Sequence, residues 1–300
     1  MFLVTGGAGL IGSEVADRLT DRGEHVTVYD LDPPADPPEG VTAVEGDVAD
    51  RDALSAALVD ADADRLVHLA AVIGRATNDA PTIGTHVNVV GTDNAFAAAE
   101  AAGLDRVVWT STHSVYGVRA NYADGEAVPE DVTPPAAFSA YPDQSYYAAM
   151  KQLNEYQSRL YADRGLDARA VRPSFVFGPA RARGWKGTLI ADALAGEAHI
   201  PHPPDAHINF VYVADVADLV VRLLTGEPSH HVYNTGGHTL AMADIADTVE
   251  SVTGGTVTWD PAGDRHSVPP RYDYERARSD LGYELTPYPD CVRDYVDRVS

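Results

Sequence analysis

Short apolar or β-branched runs alternate with stretches of helical spacing through the first 110 residues. The runs Phe2–Val4, His25–Tyr29, Val41–Val44, Arg65–Leu69 and Arg106–Thr110 predict strands. Between them, Leu10–Arg22, Arg51–Val59 and Thr85–Ala102 place apolar residues three and four apart, which predicts helices. Alternation of this kind predicts the α/β class with a doubly wound parallel sheet. Asp32–Gly40, with four prolines, reads as a surface loop. Residues 117–144 are proline-rich and acidic without clear periodicity, and loops of that length inside a compact domain are often functional. A helix over Ser145–Arg164 and a strand over Ala168–Arg172 follow. After Gly178-Pro179 the alternation weakens, with strands at Asn209–Val213 and His231–Asn234 and helical patterns near Met242–Val252, Tyr274–Leu281 and Asp290–Val299. This divides the chain into a sheet-based domain (1–172 plus about 209–235) and a small C-terminal α/β lobe (173–208 plus 236–300).

Charge narrows the range of partners. The 300 residues carry 22 Lys plus Arg against 45 Asp plus Glu, a net charge of −23, which opposes binding to nucleic acid or to an anionic membrane surface. The apolar share of 45% is that of a globular protein, so the acidity does not signal disorder. Lys151 and Lys186 are the only lysines, and Asp outnumbers Glu by 32 to 13. Acidity with so little lysine points to a protein kept soluble in high salt, where a Debye length of about 3 Å at 1 M screens self-repulsion. Chance depletion of lysine in an acidic protein is the alternative. Cys291 is the single cysteine, so no internal disulfide can form. No apolar run approaches the roughly 20 residues that span a bilayer. Phe2-Leu3-Val4 already reads as a strand rather than a leader. A cytoplasmic, soluble protein is expected.

Thr5-Gly6-Gly7-Ala8-Gly9-Leu10-Ile11-Gly12 joins the first strand to the first helix. Gly6, Gly9 and Gly12 suit a tight turn, close approach of a pyrophosphate and close helix packing, with the helix N-terminus toward the phosphates. Asp30 ends the second strand, where a carboxylate takes the ribose hydroxyls and repels a 2′-phosphate, so NAD is expected rather than NADP. A turn-forming glycine cluster with a surface Asp is the bland alternative. Asp47 and Val48 follow the third strand, near where an adenine would lie. Leu69, Ala70 and Ala71 end the fourth and let a cofactor lie against backbone. His68 beside them reads as a packed strand histidine. Tyr147 and Lys151, four apart, share a helix face. A cation there favours the phenolate and lowers its pKa toward a working range, and Lys151 can also hold the nicotinamide ribose.

With these motifs the chain resembles the extended short-chain dehydrogenase/reductase family, the NAD-dependent epimerase/dehydratase group, over essentially its whole length. Further markers are Asn88-Val89-Val90-Gly91-Thr92, Ser111–Gly117, Arg172-Pro173 with Val176-Phe177-Gly178-Pro179, and Phe210-Val211-Tyr212-Val213 with Asp215. The resemblance implies a Rossmann-type NAD-binding domain with Asn88 among its cofactor residues. It also implies Tyr147 as catalytic base, Lys151 as its partner, and Thr112 in the place of the catalytic serine. Tyr147 would remove a hydroxyl proton while hydride passes to NAD⁺. A homodimer through Thr85–Ala102 and Ser145–Arg164 is implied as well.

Departures from the family pattern concern the substrate, a small sugar-type molecule. His113-Ser114 replace the Asp-Glu pair of sugar dehydratases, which makes dehydration an unsuitable reading. Phe175 stands where nucleotide-sugar epimerases offer Asn, Ile208 follows His207 where they offer Arg, and the Arg before Gly263-Asp264 is missing, although Arg265 and Arg271 lie just beyond. Arg181, Arg183 and Lys186 cluster after Gly178-Pro179 and suit a phosphate or carboxylate, or else form a solvated loop. His113, Ser114, Phe175, Arg181, Arg183 and Lys186 are therefore the candidate substrate residues. His199, His202 and His207 read as loop histidines, and no metal is expected. The family weight favours a sugar or nucleotide-sugar epimerase of the 4-epimerase type, and that is the expected reaction, with a dehydrogenase as the alternative. The replaced anchors favour a dehydrogenase acting on a sugar, sugar acid or sugar phosphate. A non-catalytic NAD-sensing protein is a third reading, opposed by the presence of both Tyr147 and Lys151.

Overall fold

The computed structural model describes residues 1–74, 76–117, 122–123, 125–132, 142–179, 184–263 and 271–300. The first half runs β1 (Phe2–Thr5), α1 (Leu10–Thr20), β2 (Val26–Asp30), β3 (Val41–Glu45), α2 (Arg51–Asp60), β4 (Arg65–His68), α3 (Ala76–Asp79), α4 (Pro81–Thr85), a π-helical turn (His86–Gly91), α5 (Thr92–Ala102) and β5 (Arg106–Thr110). After a 3₁₀ turn (His113–Tyr116) come β6 (Ala127–Val128), α6 (Pro142–Ala162), β7 (Ala168–Arg172), β8 (Phe175–Phe177), α7 (Gly184–Leu194), β9 (Glu197–Ile200) and β10 (His207–Tyr212). The chain closes with α8 (Val213–Thr225), β11 (Val232–Asn234), β12 (His238–Ala241), α9 (Met242–Thr253), β13 (Thr256–Trp259), β14 (Arg271–Tyr272), α10 (Glu275–Leu281) and α11 (Tyr288–Val299).

Seven parallel strands form the large sheet in the order β11-β7-β5-β4-β1-β2-β3. The order reverses between β1 and β4, which opens a crevice beyond their C-terminal ends. The central strands are buried on both faces, as their Val- and Leu-rich composition requires. On one face Leu54 and Leu58 of α2 and Phe96 of α5 pack with Trp109. On the other, Val15 and Leu19 of α1 meet Leu219 and Leu223 of α8 over Phe2 and Val4.

The smaller lobe holds a three-stranded sheet, β12-β10-β8, and a parallel pair, β9 with β13. Phe177, Phe210 and Tyr288 interlock edge-on in its core. A second parallel pair, β6 with β14, brings Tyr272 against the rings of His113 and Tyr116.

Two expectations change. Periodicity over Thr85–Ala102 predicts one regular helix, but the π turn interrupts it and carries Asn88. The strand expected over Asn209–Val213 begins at His207 and pairs with β8 and β12. It therefore belongs to the small sheet, while α8 and β11 after it return to the large one. No helix among the described residues is long and apolar enough to cross a membrane.

Candidate active site

The glycine loop is built by steric necessity. Gly6 has φ +67°, and a Cβ there would lie 2.7 Å from the Ala70 nitrogen. The turn thus touches the end of β4, where Leu69 donates its N–H to the Thr5 carbonyl. A Cβ on Gly12 would meet the Gly6 oxygen at 2.2 Å, and one on Gly9 would meet the same oxygen at 3.1 Å. Leu10 and Ile11, at the start of α1, turn their side chains into the apolar clusters behind the loop. Asp30 accepts from the Ala8 N–H at 3.0 Å, which places its carboxylate at the mouth of the glycine loop. These are the features of a cradle for a dinucleotide with a free 2′-hydroxyl.

Neighbouring residues fix this cradle. Tyr29 donates to the Asp47 carbonyl, and Asn94 donates to the Val48 carbonyl. Val48 itself is buried against Gly91. Asn88 is fully buried, and its amide accepts from the Val72 N–H and donates to the Val72 carbonyl, both at 2.8 Å. Its side chain is spent on that clamp, so Asn88 shapes the Leu69-Ala70-Ala71 wall from behind. His68 bridges Thr5 and Thr92, and burial with the charge of Lys151 depresses its pKa to about 3. It is a neutral packed histidine, as its position in the strand suggests.

Tyr147 and Lys151 lie one turn apart on α6, with the ammonium 5.8 Å from the phenol ring centroid. The Lys151 Nζ donates to the Thr110 carbonyl at 2.7 Å, at the end of β5. Burial lowers its pKa to about 8, against the opposing charge of Glu155. The expected depression of the Tyr147 pKa is not found. Burial instead raises it, because desolvation of a phenolate dominates while the ammonium is bonded to Thr110. Thr112 caps the 3₁₀ turn by accepting from the Ser114 N–H at 3.2 Å and donates to the Ser114 hydroxyl at 3.3 Å.

A residue absent from the sequence reading lies one turn beyond Lys151. Glu155 forms a buried two-point pair with Arg172 (2.6 and 2.8 Å) and accepts from the Ser111 hydroxyl at 2.6 Å. Arg172 also donates to the Tyr116 hydroxyl and the Glu130 carbonyl, and Tyr116 donates to Asn234. The four-residue spacing of Tyr147, Lys151 and Glu155 is the signal that could have revealed it.

On the substrate side, the backbone N–H and Nδ1 of His113 both donate to the Pro173 carbonyl at 3.0 Å. Burial and the charge of Lys186 push the His113 pKa down to about 4. Lys186 lies on the first turn of α7 with its ammonium 4.8 Å from the Phe175 ring and 5.8 Å from Trp185. Phe175 and Ile208, both half-buried, join Lys186 and the core rings of Phe177 and Phe210 around an apolar cavity of about 30 Å³ in the small lobe. The structure thus brings His113, Phe175 and Lys186 together; Arg181, Arg183 and Arg265 fall outside the described residues. The three histidines expected in loops are not all there: His199 lies in β9 and bonds Thr258, His207 opens β10 and bonds the Asp205 carbonyl, and only His202, packed on Trp185, lies outside a strand. Elsewhere Asp215, His238 and Cys291 converge within 4.8 Å, but each is bonded to Thr286.

Comparison with known proteins matches residues 2–236 to a model described as the NAD dependent epimerase/dehydratase family. Among curated relatives, the UDP-glucose 4-epimerase of Mycolicibacterium smegmatis is 34% identical over 236 residues, covering 73% of this chain and 72% of that one. Short-chain dehydrogenase/reductase family 42E member 1 of Macaca fascicularis is 30% identical over 192 residues, which are 60% of this chain and 47% of that protein's length. The solved structure of MoeE5 in complex with UDP-glucuronic acid and NAD superposes with a TM-score of 0.80 at 25% identity, covering 100% of this chain and 99% of that one.

Proposed function

The chain belongs to the NAD dependent epimerase/dehydratase family, and from that premise we propose that it oxidises a secondary alcohol of a small sugar-type substrate, using NAD⁺. The observation that carries this reading is the stacking of Tyr147 and Lys151 on one face of α6, with Lys151 anchored to the end of β5 just before Thr112. NAD⁺, when bound, supplies the hydride acceptor, and the residues from Gly6 to Gly12 with Asp30 are those that would hold it. In its ionised form, which burial makes scarce at neutral pH, the Tyr147 oxygen accepts the proton of the substrate hydroxyl. Lys151 remains the nearby cation that favours the phenolate at that moment, and the Thr112 hydroxyl leaves Ser114 to hydrogen-bond the reacting oxygen.

We put net dehydrogenation first among the outcomes. Phe175 and Ile208 give the substrate wall apolar surface where a nucleotide diphosphate needs donors. Epimerisation, in which hydride returns to the opposite face, is the second reading, supported by the 34% likeness to a UDP-glucose 4-epimerase. Purified protein incubated with NAD⁺ and a panel of sugars, sugar acids, sugar phosphates and nucleotide sugars separates them. Absorbance growing at 340 nm marks a dehydrogenase, and interconverted epimers without NADH release mark an epimerase. Tyr147→Phe should lower kcat by about 100-fold or more in either case, the usual weight of a general base. Unchanged turnover in that variant would overturn the assignment.

A homodimer is part of the same proposal. Leu153, Tyr156 and Leu160 form a stripe on α6 that is 46%, 66% and 59% exposed, and Val90 of the adjoining π turn is 40% exposed. Apolar side chains at that spacing suit a two-fold helix pairing.

A further inference from the structure

We propose that the Lys186 ammonium receives a carboxylate of the substrate, so that the molecule oxidised beside Tyr147 is a small hydroxy acid of the sugar-acid type. This rests on the oxidoreductase reading above and adds the substrate class to it.

Lys186 is a largely buried cation whose contacts are two aromatic faces, with no oxygen acceptor among the described residues. Burial pulls its pKa down. Aromatic faces repay only part of the desolvation of an ammonium. Scarcity of acids does not explain the missing partner, since the chain has 45 Asp plus Glu against 22 bases. Arg18, Arg106, Arg172, Arg222 and Arg298 all take carboxylates in this structure. The other lysine, Lys151, is held by a carbonyl.

The position of this cation ties it to the reacting centre. Its charge reaches His113, the residue after Thr112, and the Phe175 ring beneath it begins β8 two residues after Pro173, which binds His113. His113 donates through Nδ1 and stays neutral, which leaves Lys186 as the cation of this wall among the described residues. Among the described residues, one ammonium in an apolar wall matches a single negative charge. A diphosphate carries more charge and takes several donors, which Phe175 and Ile208 do not supply.

Having two lysines makes the test direct. The chain labelled with ¹³C and ¹⁵N in lysine gives two side-chain ammonium sites by NMR, assigned with Lys186→Gln and Lys186→Arg. In the NAD⁺-loaded protein at constant ionic strength, D-glucuronate, D-galacturonate and D-gluconate are titrated against D-glucose, D-glucose 6-phosphate and UDP-glucose. The proposal expects the Lys186 signal to titrate below the ordinary lysine range and to move on addition of at least one of the acids, but not of glucose. Lys186→Gln should weaken that acid by about 10- to 100-fold, the range of one charge-assisted hydrogen bond, with NAD⁺ affinity unchanged and Lys186→Arg retaining part of the binding. No response to any acid, an equal response to glucose, or a response confined to the phosphate-bearing probes would overturn it. Failure of the oxidoreductase reading shows separately, as a Lys151 signal indifferent to NAD⁺.

Discussion

Replacing Lys151 by Met separates what the ammonium contributes to chemistry from what it costs the fold. The side chain is 1% exposed, and burial moves its pKa from 10.5 to about 8. At 1.36 kcal/mol per unit, carrying the proton into the interior costs about 3 kcal/mol. The sign follows from proton counting. Between pH 8 and 10.5 the unfolded chain keeps the proton that the folded chain has released, so wild-type stability rises with pH at up to about 1.4 kcal/mol per unit. Below pH 8 the whole penalty is present, and above 10.5 it is gone. Met fills a similar volume and has no proton to lose, so its curve lacks this rise. The orphaned Thr110 carbonyl adds an offset that does not change with pH. Urea unfolding of both proteins at fixed ionic strength from pH 7.5 to 10.5 should therefore show the difference between them moving by about 3 kcal/mol toward the wild type. Curves parallel to within about 0.5 kcal/mol would refute the claim that Lys151 is buried against its own charge. Turnover with NAD⁺ should be lost in Lys151→Met across the same range, even at pH 7.5, where the variant has its best relative stability.

Gly12→Ala should destabilise the protein by about 1–3 kcal/mol and abolish NAD⁺ binding, because its Cβ would meet the Gly6 oxygen at 2.2 Å; thermal unfolding and cofactor titration check it. Tyr156→Asp combined with Leu160→Asp should convert a dimer to a monomer by light scattering while changing monomer stability by less than about 0.5 kcal/mol, as both side chains are exposed.

The pattern of apolar positions located the large sheet well, because its strands are buried on both faces and their Val- and Leu-rich runs have no other use. The small lobe was harder to read. Strands β8, β9, β12 and β13 have three or four residues each and include polar ones such as His199 and Thr258, too short for a period to emerge. Helix α7 was missed because glycines at Gly184 and Gly187 hide its start. At the site, spacing announces Tyr147 with Lys151, but it predicts a lowered Tyr147 pKa where burial raises it. Sequence shows the nearby cation and not the burial that outweighs it. The Glu155–Arg172 pair joins residues 17 apart, and that Lys186 stands beside His113 depends on the path of β8 and α7, which no local pattern encodes.

The packing of α1 beneath α8 sets an order in time. The glycine loop and its helix leave the ribosome well before α8, yet Val15 and Leu19 are covered by Leu219 and Leu223, some 200 residues later. At about 5–20 residues per second, that face waits roughly 10–40 s for its lid. Glu14 waits longer still for Arg298, 284 residues away. The glycine-loop helix, made early, is therefore among the last elements to be finished as structure. Until α8 arrives, that face of the sheet stays half covered.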